Sequence, residues 1–92
     1  MKYVMFYESA PDVATRAAPH FAAHVERLNE FHDRGVLLMV GTFGDPQNEG
    51  SMAVFTTREA VEEFVAGDPF VRNGVVANWY VREWNEIYSD ES

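Results

Sequence analysis

The sequence has 92 residues, no Cys, and a formal net charge of −8 from 15 acidic and 7 basic side chains. That length fits one domain over residues 1–92 with a modest core, and the lack of thiols excludes disulfides, thiolate nucleophiles and thiolate metal ligands. The few basic residues, scattered from Lys2 to Arg82, form no stripe that would hold a nucleic acid; no apolar run approaches a membrane span and no charged-then-apolar leader opens the chain, so a cytoplasmic protein with no membrane partner is expected.

The opening KYVMFYE is β-branched and aromatic and reads as a strand. SAPDVATRAAP then supplies turn and helix-start residues. From about Pro19 to Arg34 the apolar positions Phe21, Val25, Leu28 and Phe31 fall on one helical face. Pro19 suits the first turn, where its missing N–H costs nothing, and Gly35 sits where a helix C-terminal glycine belongs. VLLMVGTF reads as a buried strand, GDPQNEG as a turn cluster and SMAVFTT as the partner strand of that hairpin. Thr56 with Glu59 three residues on forms a capping box for a second helix. Val61, Phe64 and Val65 make its apolar face, and Gly67 ends it. In DPFVRNG, Asp68 is an N-cap and Pro69 the first position of one more turn. VVANWYVREW is the last strand, and residues 85–92 form an acidic tail whose only anchors are Ile87 and Tyr88.

The order β-α-β-β-α-β predicts an α+β, ferredoxin-like domain, a four-stranded antiparallel sheet with both helices on one face. Alternation puts Tyr3, Met5 and Tyr7 on one face of the first strand and Val4 and Phe6 on the other. Likewise Met52 and Val54 oppose Ala53 and Phe55, and Trp79 and Val81 oppose Tyr80 and Trp84. The sheet is thus apolar on both sides, and two helices cover only one. A wet far face would expose roughly several hundred Å² of apolar surface, more than monomers usually carry. A sheet-to-sheet homodimer (a dimeric α+β barrel) is therefore expected, with a cleft bounded by sheet, helix and partner subunit as a pocket.

The three histidines, His20, His24 and His32, all fall in PHFAAHVERLNEFH. With His24 at zero and 100° per residue, Phe21 falls at about 60°, Val25 at about 100°, Leu28 at about 40° and Phe31 at about −20°. His24 therefore lies inside the apolar stripe, where Leu would be routine, while His20 lies at its edge and His32 close to it. A buried imidazole needs a hydrogen-bond partner. A core histidine satisfied by a neighbour is the commonest outcome of such a placement, and a catalytic one the alternative. His20 and His24 also form an HxxxH pair, but no glutamate stands between them in the HExxH sense and no third ligand follows at motif spacing, so no metal is expected. Asp68 is an N-cap by position, and its remaining lone pairs could also orient a histidine. Tyr3, Tyr7, Phe43, Trp79 and Tyr80 are candidate pocket lining, each also explicable as core or interface. Within this set Tyr7, Phe43, Trp79 and His20 are taken as the substrate-contacting candidates. GTFGDPQNEG is a hairpin turn with no following helix, so it is no phosphate loop and no cofactor is expected.

AAHVERLNEFHDRGVLLMVGTF, the later EAVEEFVAGDPFVRNGV and the aromatic closing strand resemble the YciI-like (YCII-related) proteins, from Tyr3 to about Trp84. The resemblance implies a ferredoxin-like fold that dimerises through its sheets. It also implies a His–Asp active site, which carries over by motif position to catalytic residues His24 and Asp68. One related enzyme type eliminates chloride from a chlorinated hydroxyhydroquinone. An arginine that often precedes the family histidine by three positions is Phe21 here, which removes a cationic hold on an anionic substrate. The short TFGDPQNEG loop is expected to leave the pocket more open. The implied function is general acid/base chemistry (proton abstraction, isomerisation or elimination) on a small cyclic or aromatic metabolite. A non-catalytic small-molecule-binding or accessory module is the alternative.

Overall fold

β1 (Lys2–Ser9) is the hinge of the fold: it pairs antiparallel with both β3 (Ser51–Phe55) and β4 (Val76–Trp84), and β2 (Leu37–Thr42) adds to β3, giving the order β2-β3-β1-β4. This is the expected α+β, ferredoxin-like sheet. The computed structural model describes residues 1–90, so the last two positions of the acidic tail lie outside the described residues.

The long helices are α2 (Phe21–Asp33) and α4 (Arg58–Gly67), joined by three short ones: α1 (Val13–Ala17), α3 (Pro46–Glu49) and α5 (Pro69–Arg72). The strand alternation sends Met5, Tyr7, Ala53 and Phe55 to the helix-bearing face, where Phe31 and Phe64 meet edge-to-face at 5.1 Å to centre the core. Asp68 caps α5 by accepting from the Phe70 N–H, and Gly35 takes a positive φ of 78° just beyond α2. Gly50, with φ 74°, lies so close to the Tyr7 carbonyl that a Cβ there would collide with it. That contact ties the start of β3 tightly to β1.

Several local expectations differ from the fold. α2 begins at Phe21, because Ala18–His20 is a 3₁₀ turn that holds Pro19. SAPDVATRAAP holds α1, and the hairpin turn folds into α3, capped by the Asp45 side chain. The cap of α4 is Thr57, whose hydroxyl accepts from the Ala60 N–H, and not Thr56. β2 is not a buried strand: Leu37 is buried, but a register shift between Leu37 and Met39 follows, and Met39 and Val40 are exposed. An edge strand covered by helix only at its start buries only its start. Ile87 and Tyr88 do not anchor the tail, being over nine-tenths exposed. Glu86 does so instead. The Lys2 ammonium donates to it at 2.6 Å and holds its carboxyl below the usual range. Among the described residues no helix is long and apolar enough to cross a membrane.

Candidate active site

α2's apolar stripe closes on the core only over its C-terminal half. Phe31 is buried, Leu28 and Val25 are half-buried, and Phe21 is 59% exposed. Beneath the first turns the sheet presents small residues (Gly41, Thr42, Ser51 and Ala53), so a cavity of about 260 Å³ remains between helix and sheet. His24 projects into it from α2, one turn after Phe21.

The imidazole meets Asp68 there, across 44 positions of sequence: His24 Nδ1 lies 2.7 Å from Asp68 Oδ1. Asp68 is fully buried and serves three groups, since Oδ1 also lies 3.1 Å from the Phe70 N–H and Oδ2 accepts from the Tyr7 hydroxyl at 2.6 Å. The phenol and the amide both donate, as does Nδ1–H to an acceptor-only carboxylate. In the neutral ring the proton then sits on Nδ1, and Nε2 carries the free lone pair. Among the described residues Nε2 has no protein partner, and no buried side-chain nitrogen or oxygen lacks one, so Nε2 is open to solvent. Phe70 stacks on the imidazole at 3.7 Å with the planes 7° apart, and Phe64 meets it edge-on at 6.3 Å, fixing the ring's plane. Burial first, then the neighbouring Asp68 charge and hydrogen bond, push the Tyr7 phenol far above its ordinary range, so it stays a donor.

α2 grips the junction after α4 a second time. Arg27 donates to the carbonyls of Glu63 (2.7 Å) and Phe64 (3.1 Å), at the start of the last turn of α4. A Cβ on Gly67 would sit 2.6 Å from the Arg27 guanidinium, so the glycine leaves room for this clasp. The residue that follows is Asp68.

Of the residues singled out from sequence, His24, Asp68 and Tyr7 come together. His20 ends the 3₁₀ turn, half-buried, Phe43 follows β2 with its N–H bonded to Gly50, and Trp79 pairs with Tyr7 across the sheet. None of these three is among the residues that line the cavity. Sequence reasoning missed Phe70 and Arg27. It also saw Tyr7 only as an aromatic wall, although a tyrosine on the core side of a strand must find a partner for its hydroxyl. No group of three or more His, Asp or Glu suited to a metal forms among the described residues.

Residues 1–85 match the family model of the YCII-related domain. Two relatives, both named Protein YciI, from Escherichia coli O6:H1 and Shigella flexneri, are each 28% identical over 98 residues, spanning 96% of this chain and all of theirs. Among solved structures, 5-chloro-2-hydroxyhydroquinone dehydrochlorinase (TftG) from Burkholderia phenoliruptrix, in complex with 2,5-dihydroxybenzoquinone, matches with a TM-score of 0.72 at 22% identity, over 92% of this chain and 94% of that one. An antibiotic biosynthesis monooxygenase matches with a TM-score of 0.53 at 16% identity, over 95% and 98%. At these identities the two structures speak for the fold alone.

Proposed function

The chain belongs to the YCII-related family, and from that premise we propose that it is a cofactor-independent enzyme in which His24 and Asp68 carry out general acid/base chemistry on a small cyclic or aromatic metabolite. One observation carries the reading: an imidazole whose Nδ1 is held by a fully buried carboxylate and whose Nε2 is open beside an apolar cavity. In such an arrangement Nε2 removes a proton from the substrate, the carboxylate stabilises the imidazolium that results, and the same nitrogen returns the proton. An elimination or an isomerisation needs no more than this. The reading also takes the chain as a homodimer packed sheet to sheet, since the face away from the helices is apolar.

The dehydrochlorinase that shares the fold suggests the first probe, 5-chloro-2-hydroxyhydroquinone. Chloride release by the wild type should fall by roughly 10²–10⁴ in kcat in His24→Ala and in Asp68→Asn, with the far-ultraviolet spectrum of His24→Ala unchanged. Turnover that survives His24→Ala would reject the assignment, and binding without turnover in the wild type would make the chain a binding module.

A further inference from the structure

The cavity at His24 has a second lobe of about 250 Å³, and the two share Tyr7, Phe21, Thr42, Ser51 and Phe70 as a common doorway. Val13, Ala14 and Ala17 of α1, with Pro46, Val75 and Val76, wall the second lobe with apolar surface. This is a built space. The Val13 N–H donates to Gln47 Oε1 at 2.9 Å, Gln47 Nε2 donates to the Ala10 carbonyl at 2.8 Å, and Ser9 Oγ donates to the Pro46 carbonyl at 2.6 Å. These bonds lock α1 to α3 over the end of the sheet.

We propose that the site takes a neutral, oxygen-bearing ring with an apolar tail of several carbons, the ring lying at His24 and the tail in the second lobe. The proposal rests on the functional reading only for the identity of the ring end. Neither lobe has a Lys or Arg in its walls, and the one carboxylate present, Glu8, stands in the second lobe. An anionic tail would enter an apolar space with no cation and one like charge, at a desolvation cost nothing there offsets. The polar groups at the doorway suit a ring bearing hydroxyl or carbonyl groups. The register places Ser51 beside Tyr7 and Thr42, on the helix-bearing face, and neither hydroxyl has a hydrogen-bond partner among the described residues. Phe21, more than half exposed at the boundary of the lobes, offers a ring face to whatever passes between them. A ring alone would fill only the first lobe and leave the second one's apolar walls wet.

Calorimetric titration of the wild type with methyl-, propyl- and pentylhydroquinone tests this. Affinity should rise roughly fourfold per added methylene, and a ligand of pentyl length ending in a carboxylate should bind at least about tenfold more weakly than pentylhydroquinone. Ala17→Trp fills the second lobe. It should abolish the tail's gain while changing methylhydroquinone binding by less than about twofold, and Ala14→Phe gives a second, smaller plug should the first fail to fold. A flat response to tail length, or a gain that survives both plugs, overturns the proposal. His24→Ala should keep the tail's gain, so failure of catalysis and failure of the second lobe are separate results.

Discussion

Tyr7 shows how much of the site hangs on one buried group. Its hydroxyl is one of three donors on a fully buried Asp68, and it has no room to ionise. Tyr7→Phe should lower stability by about 1.5–3 kcal/mol at pH 8, the loss of a hydrogen bond to a charged acceptor. The folded-state pKa is raised above the unfolded value of about 10, so the native preference is intact below pH 10. Above that pH the unfolded phenol ionises, the folded one does not, and stability falls. The gap between wild type and Tyr7→Phe in urea unfolding should therefore shrink by about 1.4 kcal/mol from pH 8 to pH 11. An unchanged gap would mean that the phenol ionises as freely in the folded state as in the unfolded one. At this scale the sequence exposes residue types but not meetings. His24 stands out because it occupies a leucine's place, and Asp68 because GDPF places it at a helix start. Their contact over 44 positions depends on how α2 crosses the α4–α5 junction, which no local pattern encodes.

The two long helices and the strands were legible because a helical period registers over ten residues or more and strand alternation over as few as five. α2, α4 and the four strands follow from apolar spacing, while α1 and α3, at five and four residues, complete too few turns for a period to register. Those two short helices wall the second lobe, so the part of the cavity hidden from the sequence is the part that would set specificity. The start of α4 gives a sharper case. A Thr-x-x-Glu reading selects Thr56, yet Thr57 has the extended φ and ψ of −140° and 155° and makes the side-chain bond to Ala60, leaving Glu59 in the first turn as a charge near the helix dipole. Thr57→Ala should cost about 1 kcal/mol, and Thr56→Ala less than about 0.5 kcal/mol, in urea unfolding. Equal losses would mean that the cap is shared between the two.

As a whole the molecule is a slab of 40 × 25 × 19 Å, one sheet with one layer of helices. On the uncovered face Phe6 and Tyr80 stack at 5.0 Å, Met39, Tyr80 and Trp84 are 62%, 42% and 48% exposed, and a cavity of about 310 Å³ opens between Val4, Phe6, Met52 and Trp84. Alternation alone forecasts this two-faced apolarity, and the register shows which side chains carry it. Burying roughly 400 Å² of such surface at ~25 cal/mol per Å² yields about 10 kcal/mol, within the range of association costs of about 4–15 kcal/mol. The balance lies close enough to zero that a single charge placed on this face decides it. The wild type should therefore scatter light at about twice its 10.5 kDa monomer mass at high micromolar concentration and dissociate on dilution. Met39→Glu and Trp84→Glu should each run as a monomer with an unchanged far-ultraviolet spectrum, because both side chains already face solvent in the single chain. A wild type that stays monomeric at the highest concentration would leave the aromatic face without a second copy to cover it. Variants that remain dimeric would move the interface to another surface.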